Sequence, residues 1–580
     1  MKNIILFLTF FLAIFAAFGQ HPLSIKYSDK PIEAEQIIKT VKFKKHYKNN
    51  TSLDSDLQKL ISRLHRCGFD AASLDTVFFE GNTYVAAVYV GQKLTVSRIN
   101  IEGLEKEEIH AMKIKPLPSE QKPFMINDVF SCNDKIAQAL WNTGYPFATT
   151  KISELSQNGN DYAATIFVEK NNFILLDSII VAGNLKLGKS FLYGYLGLKR
   201  RKAYNESAMK QVPSRLQELA FADILQPPGV SFSEKEAALY IYANKQKTNK
   251  FDGYLGIVPS NEHDSGKVLL TGSLTLDLHN VFTVGENLRF NWQRVQVLSQ
   301  TLDIYMDFPY LFYSSFGIDG SFALEKKDTS YLNLDFGLGV RYYLQKRNYV
   351  RAYYNLKSAN LTGNTSLQYL SELPTDIDYK THIYGLEVVF FKLDYLFNPR
   401  KGYAFSFTAA IGQRNIIKNN NIADSLYNGI RLSSLQVQLS GKFDIYFPIK
   451  NKWVWYTGIK AGHLQTPQLF ENEVFRLGGL NTIRGFDQQS IYASTYGIIN
   501  NELRFVFSKK SYLQAFFDVA WYECKLNSSY RSDIPFGFGA GISFDTKAGM
   551  FSFNYALGKQ LNNPIRFSNG KITFGYVAVF

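Results

Sequence analysis

Arg484 and Gly485, in the run Ile483-Arg484-Gly485-Phe486, are the residues whose types and spacing most clearly imply a specific interaction. A guanidinium holds a carboxylate through a rigid two-pronged hydrogen bond. Glycine lets the backbone pass close to a wall and take positive φ. Together they fit a latch. Carboxylates that could receive it stand on nearby extended segments. Leu513, Ala515, Phe517, Val519 and Trp521 form one apolar face, which places Asp518 on the other; Leu503, Phe505 and Phe507 likewise turn Glu502 and Arg504 away from the apolar side. Neither the cysteines nor the histidines have the spacing of a reactive centre. Cys67, Cys132 and Cys524 are odd in number and far apart, which is neither a disulfide framework nor a metal cluster. The eight histidines lack ligand spacing, and His279, on a polar strand face, reads as a solvated residue. No Gly-x-Ser-x-Gly elbow is present to support hydrolysis. A non-enzyme without cofactor, metal or nucleic-acid partner is expected.

The segments that must position the latch alternate with period two from about Lys250 onward. In Leu435 to Phe447 the odd positions are Leu, Val, Leu, Gly, Phe, Ile and Phe, and the even ones Gln436, Gln438, Ser440, Lys442, Asp444 and Tyr446. One face is lipid-like and the other wet. A soluble sandwich would bury its apolar face under a second sheet, whereas a closed barrel leaves no unpaired edge in lipid. Sixteen such segments begin near Phe251, Val268, Asn287, Thr301, Phe316, Tyr331, Tyr349, Ile383, Tyr403, Ser434, Trp453, Gly497, Tyr512, Phe536, Met550 and Lys571. The count is even, as a single-chain antiparallel transmembrane β-barrel, here over 248–580, requires. Aromatics at 15% would supply its two interfacial girdles. The first and last strands alone meet without a hairpin, and Gly253, Gly256 and Gly575 lie in them, weakening pairing at this seam.

Residues 1–19 read as a secretory signal peptide: Met1-Lys2-Asn3 is basic, Ile4 to Phe18 apolar except for Thr9, and Ala17-Phe18-Gly19 a small-x-small cleavage site. An internal repeat follows. Leu64-His65-Arg66-Cys67-Gly68-Phe69 matches Leu140-Trp141-Asn142-Thr143-Gly144-Tyr145, with a fainter copy at Leu216 to Ala222; Gly68 to Gly144 and Gly144 to Ala220 are both 76 residues. Each copy reads as α+β; in the first two the helical pattern ends at a glycine and an extended segment follows, and all three close with a strand. The units are placed at 20–92, 93–171 and 172–247. The net charge of +14 would suit anionic lipid headgroups or lipopolysaccharide, or be spread over soluble surfaces.

The stretch Phe475 to Asp487 resembles the hairpin-loop motif of the BamA/TamA family of outer-membrane insertases, and the repeats resemble polypeptide-transport-associated (POTRA) domains. Phe308-Pro309-Tyr310-Leu311, Asn398-Pro399-Arg400-Lys401-Gly402 and Phe516 to Trp521 match along the barrel. At the end of the chain Thr573, Gly575, Ala578 and Phe580 fit the polar-x-Gly-x-x-hydrophobic-x-aromatic signal of outer-membrane barrels, with Ala578 where an aromatic is commoner. The resemblance implies that Asp518 and Glu502 hold Arg484 inside the lumen. It further implies an insertase in the cell outer membrane, with periplasmic repeats that receive unfolded outer-membrane proteins and dock accessory periplasmic or lipoprotein subunits. Two alternatives stay open: a secretion pore of related architecture that threads one passenger through its lumen, and a plain porin. Three repeats rather than five look more like the TamA type.

Overall fold

The computed structural model describes residues 22–28, 32–41, 43–44, 47, 50–69, 71–93, 95–112, 126–158, 161–259, 268–296, 299–345, 347–363, 367, 370–395, 398–508, 511–546, 549–561 and 565–579. The signal peptide and Phe580 lie outside these residues. The chain divides into two units. One comprises Met1–Leu176 with Arg201–Met209 and Phe232–Ala237, and the other comprises the rest.

The first unit holds two β-α-α-β-β segments. In the first, strands Leu23–Tyr27, Ser73–Glu80 and Thr83–Tyr89 form a sheet with Thr83–Tyr89 in the middle, parallel to the opening strand and antiparallel to the other. The helix Asn50–Arg66 lays Leu53, Leu57, Leu60 and Leu64 on one stripe, all at most 1% exposed, and this stripe packs against the sheet. Gly68 ends it at φ 94°. The second segment repeats the plan with strands Thr95–Glu102, Thr149–Asn158 and Asp161–Glu169 and helices Lys106–Ala111 and Ile126–Asn142, whose Val129, Cys132, Ile136 and Leu140 face the core. Even a tertiary hydrogen bond is repeated. His65 Nε2 lies 2.7 Å from the Ala72 carbonyl, and 76 residues on Trp141 Nε1 donates to the Ala148 carbonyl at 2.9 Å. The opening strand Leu23–Tyr27 was not marked by the repeat, because five residues carry little pattern.

A third segment follows, with strands Leu175–Ala182, Ala222–Phe232 and Glu236–Lys245, helices Lys189–Leu196 and Glu206–Leu216, and a two-residue strand Lys202–Ala203 that widens its sheet to four.

The barrel has sixteen antiparallel strands, each bonded to its sequence neighbour, from Lys250–Pro259 to Lys571–Val579; Tyr530–Asp533 and Phe536–Asp545 are two pieces of the fourteenth. Every strand begins within four residues of the start expected from alternation except the fourteenth, whose first piece begins six residues before the expected Phe536. Burial follows the same alternation. On the tenth strand, Ser433–Lys450, Gln436 and Asp444 are buried in the lumen, while Leu435 and Phe447 are more than half exposed. An apolar band of this extent is stable only in lipid. No helix among the described residues is long and apolar enough to cross a membrane.

Two features organise the lumen. A belt of charge crosses five consecutive strands, with one residue from each of the fourth (Ser299–Phe308) to eighth (Tyr379–Leu393). Arg341 donates to Asp307 at 2.7 Å and pairs with Asp319 at 3.0 Å; Arg351 donates to Asp319 at 2.6 Å and to Glu387 at 3.5 Å. Gly339, on the strand between, makes the reach possible, since a Cβ there would lie 2.5 Å from Arg351 Nε. At the barrel end remote from the third segment, the loops pack into a cap. Arg414, fully buried, donates to Glu473 at 3.0 Å, and Ile377, Ile422, Tyr427 and Phe470 cluster beneath.

Candidate functional site: the loop tip inside the barrel

The loop between the eleventh strand, Trp453–Gln465, and the twelfth, Thr495–Val506, turns back into the lumen. A short ribbon pins its base, Phe475–Leu477 pairing with Ile491–Ala493. Gly478 and Gly479, at φ 107° and 94°, make the turn. Ile483 is fully buried among Leu477, Ile491, Ile498, Ala520 and Tyr522, which drives the tip against the wall.

Arg484 then meets both expected carboxylates. Its Nε donates to Asp518 Oδ2 at 2.7 Å and its Nη2 to Oδ1 at 2.5 Å, the two-pronged geometry, while Nη1 donates to Glu502 Oε1 at 2.6 Å. The Arg484 main-chain N–H also donates to Asp518, at 3.0 Å. Below the guanidinium lies the Phe516 ring, 3.8 Å to its centroid. The other Glu502 oxygen accepts from Arg504 at 2.7 Å, and Arg504 in turn stacks over Tyr456 and Tyr512. Two guanidinia and two carboxylates therefore close a neutral network, the condition under which buried charge is tolerable.

The sequence reading missed the wall. Gly485, at φ 93°, passes so close to the fifteenth strand, Met550–Lys559, that a Cβ would lie 2.6 Å from the Leu557 carbonyl carbon. Gly537 and Gly558 form the facing surface. A Cβ on Gly537 would meet the Arg484 carbonyl oxygen at 1.9 Å, and one on Gly558 the Phe486 ring at 2.9 Å. Asp487 ends the contact by pairing with Lys571 of the last strand at 2.7 Å. The tip thus touches each of the strands twelve to sixteen.

Among the described residues the seam is paired only at its foot: Lys250 faces Val579 and Phe251 faces Ala578, two pairs against ten between the first and second strands. Gly253, Gly256 and Gly575 are not paired across it; they face Leu274, Thr271 and Ser552 of the neighbours on the closed side. Thr573 pairs with Asn554 in the same ladder.

The sequence also contains a Gly-x-x-x-x-Gly-Lys-Ser octapeptide, Gly183 to Ser190, which the expectation of a non-enzyme passed over. It follows a strand and opens a helix, yet several of its donors are spent within the protein. Gly188 N–H donates to the Thr283 carbonyl at 2.6 Å and Asn184 N–H to Asn244 Oδ1 at 3.0 Å, while the Ser190 hydroxyl donates to the Tyr310 carbonyl at 2.9 Å. This loop anchors the third segment to the barrel. Among the described residues no three histidines, cysteines or carboxylates group as a metal site, and His279 sits against Asn287.

The outer membrane protein assembly factor BamA of Neisseria meningitidis serogroup B (strain ATCC BAA-335 / MC58) is 19% identical over 500 residues, 80% of this chain; the chain spans 60% of that relative's length. CdiB from Escherichia coli superposes with a TM-score of 0.53 at 16% identity, over 92% of this chain and 98% of the other, and CdiB from Acinetobacter baumannii with 0.53 at 13%, over 94% and 98%. These two share the fold. The Omp85 superfamily domain matches residues 280–574, 295 of the 580. The chain therefore belongs to the Omp85 superfamily and is an outer-membrane β-barrel protein, with its N-terminal region in the periplasm.

Proposed function

We propose that this protein assembles other β-barrel proteins into the outer membrane by strand addition at its own seam. The observation that carries this reading is the two-residue pairing between the first and last strands. A nascent strand in lipid leaves its main-chain groups unsatisfied at several kcal/mol each. An edge already half unpaired can supply those hydrogen bonds with little to break. The chemistry is non-covalent and needs no nucleotide. The three β-α-α-β-β segments act as POTRA domains over 20–92, 93–171 and 172–247. They receive unfolded outer-membrane proteins along exposed edges such as Ser73–Glu80, and they offer surfaces to accessory subunits. Lipid or lipopolysaccharide headgroups would meet part of the chain's net charge of +14. The Arg484 tip serves as a brace that keeps strands twelve to sixteen together while the seam works.

Depletion tests the reading: many outer-membrane proteins should fall together, whereas loss of a single exported protein would assign secretion instead. A second test addresses the seam. Paired cysteines on the first and last strands, in a background lacking Cys67, Cys132 and Cys524, should stop client insertion when oxidised and restore it when reduced. Full insertion through a cross-linked seam would leave the lumen as the route.

A further inference from the structure

A cavity of about 510 Å³ opens at the periplasmic mouth of the barrel. The segment after the last helix of the third repeat lines it with Leu219, and the turn joining the eighth and ninth strands lines it with Tyr395 and Asn398. Phe390 and Phe391, each more than a third exposed, give it apolar walls. Lys247 and Lys392 add charge, and neither forms an ion pair among the described residues.

Asn398 is the informative member. It is 3% exposed, and neither its Oδ1 nor its Nδ2 has a partner among the described residues. A buried amide without partners is unfavourable, so leucine would be the better residue if Asn398 served stability alone. Its frame is rigid. Asp394 Oδ1 accepts from the main-chain N–H groups of Tyr395, Arg400 and Lys401 at 2.9, 3.0 and 3.1 Å.

We propose that this cavity binds an extended segment of polypeptide, read through its main chain by Asn398. A carboxamide presents an acceptor oxygen and a donor NH2 in one plane, so Oδ1 can accept from a backbone N–H and Nδ2 donate to a backbone carbonyl of an extended peptide, a pairing that ignores side-chain identity. The aromatic walls take alternate apolar side chains, and the two lysines favour acidic over basic segments. Lys250 also lines the cavity and is one of the two first-strand residues paired at the seam, so a bound segment lies at the seam's foot. This inference rests on the reading that the protein handles unfolded chains.

The test uses the full-length protein in detergent micelles, with a photoreactive benzoylphenylalanine at Tyr395 or, separately, at Phe78 on the exposed edge strand of the first repeat. The probe is a fluorescent synthetic peptide of alternating Thr and Val with an acidic end. Cross-linking at Tyr395 should fall about tenfold in Asn398→Leu, with cross-linking at Phe78 unchanged and the barrel more heat-resistant. Lys392→Glu should invert the preference between acidic and basic peptides. An unchanged Tyr395 yield in Asn398→Leu overturns the proposal, as does capture of phospholipid there in place of peptide. Peptide captured at Phe78 but never at Tyr395 removes the cavity alone; capture at neither position removes the handling of unfolded chains with it.

Discussion

Arg484 is held by two carboxylates from different strands, and its removal leaves Asp518 without a cation. Breaking one side of a buried pair costs about 3–5 kcal/mol. Arg484→Ala should therefore free the loop, seen as trypsin cleavage after Arg476 in folded barrels that resist it in the parent protein. Gly537→Ala should produce the same cleavage with every charge intact, because its methyl would occupy the place of the Arg484 carbonyl oxygen, 1.9 Å away. Gly497→Ala is the control, since a Cβ there meets nothing within 4 Å. If only the arginine variant opens the loop, the glycine wall is not what seats it. Arg484 was legible from its place beside a glycine in a long loop that resembles a family motif, and Asp518 and Glu502 because they stand on the wet faces of the two strands that follow and match positions in that family. Gly537 and Gly558 were not, because a glycine within a strand reads the same whether it relieves curvature or admits a neighbouring backbone.

At the scale of elements, period two located all sixteen strands, since lipid on one side and water on the other allow no slip of register. The ribbon Phe475–Leu477 with Ile491–Ala493 and the strand Leu23–Tyr27 escaped notice, being too short to show a period. The charge belt escaped for another reason. Asp307, Asp319, Arg341, Arg351 and Glu387 all stand on wet faces, but which of them meet depends on the stagger of five strands. In the first repeat a carboxylate makes folding sensitive to acid. The Lys59 ammonium, donating to Asp56 at 2.7 Å, and the Tyr47 hydroxyl, donating at 3.0 Å, hold the Asp56 carboxyl below the usual carboxylate range. With the folded value depressed, the stabilisation is fully present above about pH 4 and is lost as the pH falls through the lowered value. Amide exchange along Asn50–Arg66 should accelerate over that window. Asp56→Asn should flatten the dependence at a cost of about 1–2 kcal/mol; a slope that survives the substitution would point to another carboxylate.

For the molecule as a whole, the belt across strands four to eight and the loop tip across strands twelve to sixteen brace two walls, and the seam lies at the edge of one of them. Deleting Phe580 should lower the amount of protein in the outer membrane, because an aromatic end anchors the last strand at the interface and that strand must itself be received during assembly; normal levels in membrane fractions would remove this role. The reach of the tip has a further consequence, in time rather than space. Glu502 and Asp518 lie 18 and 34 residues downstream of Arg484, and Gly537, Gly558 and Lys571 follow later still. A chain emerging from its N-terminus presents the loop before any charged partner of Arg484 exists, and contacts of long sequence separation form last. The loop then acts as a completion signal. It stays open to protease through every partial barrel and closes only when the final strands are in place, so a chain ending at Asp545 should display a cleavable loop however well its earlier strands have folded.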